Sequence, residues 1–252
     1  DGERVRVVKK MGYVNEIFDE GTLSTLPGHI AIGHTRYSTA GESKLSNAQP
    51  ILIDCVHGQV GICHNGNIVN ANEVRDRLVR AGSIFQTNSD TEVVLHLYAR
   101  SQAGSVEDAL VESITQLTGA FSFALITRDS MIAVRDPHGF RPLALGKLGD
   151  GWAVTSETCG LDLIGATYVR DVEPGEVLII GPHGLRSINL TLHSLFVKVL
   201  VTSDREAALA SQFDTALNNM PHGLCMFGGK DGRLAVMNHR FAQMMRLPTD
   251  MM

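Results

Sequence analysis

The chain has 252 residues, which allows one large domain, or one domain of ordinary size with a smaller companion. Apolar residues make up 44% and charged residues 19%, so the chain can bury a core and is not of the disordered class. The net charge is -5, and no run is rich in lysine or arginine. No apolar run approaches the roughly 18 to 20 residues that cross a bilayer. We therefore expect no nucleic-acid partner and no membrane partner.

Cysteine usage indicates the compartment. The four cysteines at positions 55, 63, 159 and 225 are too few and too scattered for a disulfide framework in a chain of this length. The opening residues, DGERVRVVKK, carry charges where a secretory signal would be apolar, and they begin without Met. We expect a reducing, cytoplasmic compartment. We also expect the sequence to begin part-way along a longer chain.

The composition changes near residue 188. Seven of the nine methionines lie after this residue. We expect a first domain over residues 1–188, a connector over 189–205 and a partial second segment over 206–252. The last segment is too short to bury a useful core alone.

Short alternating runs in the first part, separated by Gly, Pro and Asn, predict strands. Because many strands follow one another closely, we expect antiparallel pairing. The predicted strands are residues 4–8, 29–33, 60–64, 120–127, 131–136, 143–147, 152–155 and 177–180.

Three helices are predicted in the middle of this part, each opened by a polar residue with an acid three positions later. The pairs are Asn70 with Glu73, Ser89 with Glu92, and Ser105 with Asp108. Strands on both sides of a block of helices, with few β–α–β alternations, predict an α+β fold. In this fold, helices cover the outer faces of antiparallel sheets.

Three polar clusters lie where a strand ends or a helix begins: GHTRYSTAG, CHNGN and TNSDTE. Arg36 can clamp a carboxylate with two parallel hydrogen bonds, and Asp90 can receive an ammonium group. Together they suit a free amino acid. Asn65 and the backbone N–H of Gly66 can supply two donors to an oxygen that becomes negative when a carbonyl is attacked.

Each of these residues also has an ordinary structural interpretation. Arg36 alone fits a surface or interdomain ion pair, and Asn65 with Gly66 fits a hairpin turn. Asp90 alone fits the first turn of a helix, where the helix dipole favours a carboxylate. Only their joint occurrence in this order favours a functional interpretation.

That joint occurrence resembles the glutaminase domain of the amidophosphoribosyltransferase family, a group of class II, N-terminal-nucleophile glutamine amidotransferases. The similarity covers residues 1–188. The strings that carry it are GHTRYSTAG, CHNGNIVNANEVR, FQTNSDTEVVLHLYARS, RDPHGFRPLALGKL and TSETCGLDLIGATYVRDVEPGEVLII. GHTRY and HNGN recur across the wider class, whereas SDTE, DPHGFRPL and VEPGE are specific to this family.

The resemblance implies a four-layer αββα sandwich of antiparallel sheets, the N-terminal-nucleophile hydrolase fold. It also implies roles for individual residues. Arg36 would hold the α-carboxylate of glutamine, Asp90 its α-ammonium group, and Thr39 would be a further substrate contact. Asn65 and Gly66 would form the oxyanion hole.

In the family, an N-terminal cysteine attacks the side-chain amide with its own α-amino group as base. The released ammonia passes to a phosphoribosyltransferase domain, which makes phosphoribosylamine in the first step of purine biosynthesis. The sequence departs from this pattern, because residue 1 is Asp1 and no phosphoribosyltransferase motif follows. We therefore expect a glutaminase portion that is inactive as written. We also expect no cofactor in this chain, with Mg²⁺ needed only by the phosphoribosyltransferase domain, and homo-oligomers among full-length family members.

Residues 213–247 resemble the start of a PAS sensor domain. There we expect a helix at 204–220, strands at 223–227 and 234–237, and a short helix from 239. The alternative function is thus a non-hydrolytic, glutamine-binding remnant fused to a PAS-type sensor segment.

Several other side chains could serve as metal ligands or general bases. Cys55, His57, Cys63 and His64 lie within ten residues, but Cys63 and His64 are neighbours that would face opposite sides of a strand. We expect no metal site there. The remaining candidate bases are His34, His96 and His138, for which a structural role is expected.

Overall fold

The computed structural model describes residues 2–36 and 44–190, and it describes the backbone of residues 225–228 and 233–237. The chain divides into two units, Asp1–Ser194 and Leu195–Met252. No helix in the described residues is both long enough and apolar enough to cross a bilayer.

The first unit contains nine described strands. In chain order they are β1 (Ile51–Cys55), β2 (Gly58–Ile68), β3 (Gly119–Ile126), β4 (Met131–Arg135), β5 (Ala144–Leu148), β6 (Gly151–Thr155), β7 (Thr167–Asp171), β8 (Glu176–Gly181) and β9 (Gly184–Asn189). A six-stranded sheet has the order β1-β2-β3-β4-β8-β9, and a three-stranded sheet has the order β6-β5-β7. All neighbouring strands in both sheets are antiparallel, as predicted.

Helices precede the first of these strands and lie between later ones. They are α1 (Val14–Ile17), α2 (Glu20–Ser24), α3 (Ala71–Arg80), α4 (Thr91–Arg100), α5 (Val106–Ile114) and α6 (Cys159–Leu163). A short 3-10 turn spans Leu45–Asn47.

The apolar residues form clusters that show how the layers stack. On β4, Ile132 and Val134 pack into a cluster with residues of α3, α4 and α5. Ala133 lies between them and packs on the other face, with Leu145 of β5 and with Leu143 just before that strand. This alternation follows from the period of two along a strand. The six-stranded sheet is therefore buried on both faces.

The second sheet repeats the same alternation. Leu145 on β5 faces the six-stranded sheet, whereas its neighbour Ala144 packs against Leu161 of α6 and against Ala166. Helices, sheet, sheet and helix thus form the four-layer αββα sandwich, and the α+β prediction is confirmed.

Six of the eight predicted strands are confirmed, in β2, β3, β4, β5, β6 and β8. The strands predicted at 4–8 and 29–33 are wrong for the described residues, where neither segment belongs to a strand. A strand needs a ladder of backbone hydrogen bonds. Val5 instead donates its N–H to the side chain of Gln59 at 2.9 Å.

The three predicted helices are present, but only one predicted cap is confirmed. Ser105 accepts a hydrogen bond from the N–H of Asp108 at 3.0 Å. Asn70 does not cap α3, because its side chain bonds to the backbone of Gln116 and Thr118, just before β3. Ser89 does not pair with Glu92 in a capping box either, since Glu92 accepts hydrogen bonds from the preceding loop.

In the second unit, β10 (Cys225–Gly228) and β11 (Arg233–Met237) pair antiparallel. They overlap the two strands predicted in this segment. Asn189, the first residue of the predicted connector, ends β9, and Leu190 after it is buried. Connector residues 191–205 and the two helices predicted in the tail lie outside the described residues, so the PAS resemblance stays a prediction.

Candidate functional site

Asn65 and Gly66 lie inside β2, opposite β3, and the hairpin interpretation of this pair is wrong. Asn65 is in register with Ser122, and Gly66 with Phe121. Gly66 has a φ of 143°, and a Cβ atom there would lie 2.1 Å from the carbonyl oxygen of Ala120. Only glycine permits this approach. Packing against β3 therefore requires glycine at position 66, in addition to the catalytic role expected of its N–H.

Asp90 lies at the start of α4, as predicted, but its carboxylate does not cap that helix. Oδ2 instead accepts the backbone N–H of Ile68 at 3.0 Å. Oδ1 lies 3.4 Å from Nδ1 of His64. The helix-dipole interpretation is therefore incomplete, because this side chain joins the helix to the end of the strand that carries Asn65 and Gly66.

The environment of Asp90 favours its ionised form. Burial alone would raise the pKa of this carboxyl group, but the hydrogen bonds and charge of His64, with the N–H groups of Ile68 and Thr91, outweigh burial. The pKa therefore lies below its usual value. An anionic carboxylate is the form that an ammonium group requires.

The loop that leads to Asp90 is held from two helices. Glu92 of α4 accepts the N–H groups of Gln86 and Thr87, both at 2.8 Å. From α3, Arg75 donates to the carbonyl oxygens of Thr87 at 3.0 Å and Ser89 at 2.7 Å. The position of Asp90 is therefore fixed by contacts from both sides.

Arg36 is half-buried and lines a cavity of about 550 Å³. Seven Lys or Arg residues and no acidic residue line this cavity among the described residues. These seven are Arg4, Arg6, Lys9, Lys10, Arg36, Lys44 and Arg128. Such a lining favours an anionic group, for example a carboxylate.

Gln49 and His34 connect this cavity with the surroundings of Asp90. Gln49 lines the cavity, and its side chain accepts the backbone N–H of His64 at 2.5 Å. His34 also lines the cavity, and its pKa is lowered first by burial and then by the charges of His64 and Arg36. His34 is therefore in electrostatic reach of both Arg36 and the histidine that contacts Asp90.

Thr39 lies outside the described residues. Sequence reasoning missed the contacts of His64, Gln49, Arg75 and Glu92. His64 directly precedes Asn65 in the HNGN string, and Glu92 ends the SDTE string, so both had a signal in the motifs. Nothing in the sequence indicated Gln49 or Arg75, because their partners are 12 to 42 residues away.

The cysteines and the other histidines have structural environments. Cys63 is buried, and burial raises the pKa of its thiol to about 12. His96 packs on Phe85 with ring centroids 4.2 Å apart, and His138 packs on Phe140 at 5.5 Å. Across residues 2–36 and 44–190, no three His, Cys, Asp or Glu side chains are grouped so that they could hold a metal ion.

Comparisons with known proteins agree with this architecture. The glutamine amidotransferase domain family matches residues 34–162. The chain is 50% identical over 190 residues to amidophosphoribosyltransferase 2 of Arabidopsis thaliana, a chloroplastic protein, covering 75% of this chain and 34% of that protein. It is 45% identical over 194 residues to the amidophosphoribosyltransferase of Bacillus subtilis, covering 77% of this chain and 41% of that protein.

A solved structure gives the same result in three dimensions. The glutamine phosphoribosylpyrophosphate amidotransferase of B. subtilis, complexed with ADP and GMP, has a TM-score of 0.71 and 44% identity to this chain. The match covers 75% of this chain and 41% of that one. The chain thus spans 34% to 41% of the length of these relatives.

Proposed function

Because the chain belongs to the family of glutamine amidotransferase domains, we propose that its first unit binds glutamine and is the glutaminase part of an amidophosphoribosyltransferase. One observation carries this proposal. The ionised carboxylate of Asp90 is fixed to the end of the strand that holds Asn65 and Gly66. A hydrogen bond thus joins an amino-acid binding group at the start of α4 to the strand that carries a candidate oxyanion hole.

In this proposal, two charged groups recognise the amino-acid end of glutamine. The guanidinium of Arg36 binds the α-carboxylate in a cavity whose lining is cationic. Asp90 binds the α-ammonium group, and Thr39 adds a further contact. Hydrogen bonds to charged groups contribute about 1.5–3 kcal/mol each. Removal of either charged group alone should therefore weaken glutamine binding strongly.

The amide end of glutamine would then lie at Asn65 and Gly66. The side chain of Asn65 and the N–H of Gly66 donate to the oxygen that becomes negative when the amide is attacked. This chemistry requires no metal or cofactor. In an amidophosphoribosyltransferase, the ammonia goes on to phosphoribosylamine, the first step of purine biosynthesis.

Hydrolysis also needs a thiolate, and the described cysteines do not offer one at this place. Cys63 shares a strand with Asn65, but with a pKa of about 12 its thiolate fraction at pH 7 is on the order of 10⁻⁵. Cys55 also has a raised pKa, mainly because it is partly buried. We therefore propose that Arg36 and Asp90 bind glutamine without the help of an internal nucleophile.

The alternative proposal is a glutamine-binding remnant that serves a sensor segment. It shares the binding site and differs in the role of residues 206–252. The antiparallel pair of β10 and β11 is the observation that favours it, because these strands overlap the two strands that the PAS resemblance predicts in this segment.

Calorimetry and an ammonia assay test these proposals together. The purified chain should take up one glutamine, and Arg36→Ala should weaken binding by about tenfold or more. Lys147→Ala, on the second sheet, is the matched loss of one positive charge and should leave the affinity unchanged. No heat with glutamine would overturn the proposed function. Ammonia release by the chain would overturn the alternative.

The three described cysteines, Cys55, Cys63 and Cys159, are free thiols. Free thiols persist in reducing compartments. This supports our proposal of a cytoplasmic protein, although the Arabidopsis relative is chloroplastic.

A further inference from the structure

We propose that His64 is a positioning residue for the amino end of the substrate: its ring N–H orients the carboxylate of Asp90 so that the carboxylate can receive an ammonium group. The inference rests on the proposed function, because it assigns a role in glutamine binding to a residue outside the expected contact set. The juxtaposition of the imidazole with Asp90 and Thr91 carries it.

The imidazole of His64 is held tightly. Its side chain is 2% exposed, and Nδ1 lies 3.1 Å from Oγ1 of Thr91 and 3.4 Å from Oδ1 of Asp90. The ring packs on Phe123 with centroids 4.9 Å apart and planes tilted by 54°. Burial, the polar contacts of Nδ1 and the contact with Phe123 together hold the ring in one orientation.

The neighbours of Nδ1 decide which ring nitrogen carries the proton. Both atoms that face Nδ1 are oxygens, one of them on an ionised carboxylate. A bare Nδ1 would place its lone pair against the lone pairs of Asp90, which is repulsive. A protonated Nδ1 donates instead. The arrangement therefore selects the tautomer in which Nδ1–H points at Asp90 and Thr91.

The opposite nitrogen strengthens this assignment. Nε2 of His64 is buried and has no hydrogen-bond partner among the described residues. An unpartnered buried polar atom reduces stability, and an apolar side chain of similar size would avoid that loss. Histidine at this position is therefore explained by what Nδ1–H does rather than by packing.

Both oxygens of Asp90 are thereby fixed. Oδ2 accepts the N–H of Ile68, and Oδ1 faces His64 and the hydroxyl group of Thr91. These donors lie on β2 and α4, so they set the plane of the carboxylate from two elements. The side chain of Asp90 is 28% exposed, which leaves remaining lone pairs open to a cation.

The backbone of His64 is held by the same network. Its N–H donates to Oε1 of Gln49, and Nε2 of Gln49 lies 3.5 Å from Oγ1 of Thr91. Gln49 also lines the cavity that Arg36 lines. The network therefore joins the expected carboxylate-binding and ammonium-binding ends of the site.

The test compares glutamine with 4-carbamoylbutanoate, which is glutamine without its α-amino group. His64→Gln removes the donor at the Nδ1 position, whereas His64→Asn keeps an amide nitrogen there. By calorimetry, His64→Gln should weaken glutamine binding about tenfold and 4-carbamoylbutanoate binding by less than about twofold. His64→Asn should restore most of the glutamine affinity. Val134→Ala, in the same core, should weaken both ligands equally or neither.

The outcomes separate the two proposals. Equal losses for both ligands in His64→Gln, with the parent binding glutamine, would overturn the positioning role and leave the proposed function intact. No glutamine binding by the parent would overturn the proposed function and this inference with it. If His64→Gln does not fold, ¹⁵N NMR of the imidazole in the parent decides: a proton on Nδ1 of His64 would support the role, and a neutral ring with its proton on Nε2 would overturn it.

Discussion

The carboxylate of Asp90 accepts the backbone N–H of Ile68 at 3.0 Å, across 22 residues of chain. This hydrogen bond joins the start of α4 to the end of β2. Asn65 and Gly66 lie on β2 with Ile68. A substitution that breaks this hydrogen bond should therefore change the position of Asp90 relative to Asn65 and Gly66.

The first prediction concerns the charge of Asp90. Asp90→Asn keeps an oxygen for the N–H of Ile68 but removes the negative charge. We expect glutamine affinity to fall by about 10- to 100-fold, in line with the loss of a charge-assisted hydrogen bond. Asp76→Asn, an exposed acid on α3, is the control and should bind as the parent does. An unchanged affinity in Asp90→Asn would remove Asp90 from the site.

The second prediction concerns the close approach at Gly66. Gly66→Ala should destabilise the fold by roughly 3 kcal/mol or more, because its Cβ would overlap the backbone of Ala120. Gly184→Ala is the matched variant, since Gly184 has a φ of 83° and open space around it. Strain alone should cost it about 1 kcal/mol. Urea denaturation measures both, and equal losses would contradict the steric explanation.

The third prediction concerns the loop before α4. Glu92→Ala removes a buried carboxylate that accepts hydrogen bonds from Gln86 and Thr87. The amide hydrogens of Gln86 and Thr87 should then exchange much faster, and glutamine affinity should fall because Asp90 is no longer held. Glu73→Ala, an exposed acid of α3, should change neither. Unchanged exchange in Glu92→Ala would show that Arg75 alone holds the loop.

The fourth prediction concerns stability in acid. Burial alone would raise the pKa of Glu176, but hydrogen bonds from Arg170, Ser187 and the N–H of Glu173 outweigh it, so the pKa lies below its ordinary value of 4.5. The ionised form is thus favoured in the folded state. This contribution is fully present above pH 4.5 and is lost as the pH falls through the lower, folded-state pKa.

Denaturation of the parent and of Glu176→Gln at pH 7 and at pH 3 measures this contribution. The variant should be less stable than the parent at pH 7, and the difference should shrink at pH 3. A difference that is the same at both pH values would show that the charge of Glu176 does not contribute.

The fifth prediction concerns the thiols. Cys159 is exposed, whereas Cys63 is buried with a pKa of about 12. Iodoacetamide at pH 8 should therefore label Cys159 in the folded protein and reach Cys63 only in denaturant. Mass spectrometry of the peptides distinguishes the two. Rapid labelling of Cys63 in the folded chain would mean that β2 is more accessible than the structure shows.

Local patterns predicted much of the fold. The alternation in 120–127 and 131–136 became β3 and β4, and Ser105 caps α5 as its spacing indicated. Prediction failed where the determining contact lies far along the chain. Residues 4–8 have the alternation of a strand, but alternation cannot show which backbone will pair with it.

The candidate site shows the same division. Arg36, Asn65, Gly66 and Asp90 could be selected from residue type and order, and the resemblance supplied their roles. The partners of Asp90 could not, because Ile68 contributes only its backbone N–H, and any residue except proline provides one. His64 was dismissed as a metal ligand for a sound reason, yet its contact with Asp90 depends on how β2 packs against α4.

A crystal structure of the chain with glutamine bound tests the central claim most directly. The account predicts the α-ammonium nitrogen within about 3 Å of the Asp90 carboxylate. It also predicts the α-carboxylate on the guanidinium of Arg36 and the amide oxygen facing Asn65 and Gly66. Glutamine bound with its ammonium group away from Asp90, or bound elsewhere on the chain, would contradict it.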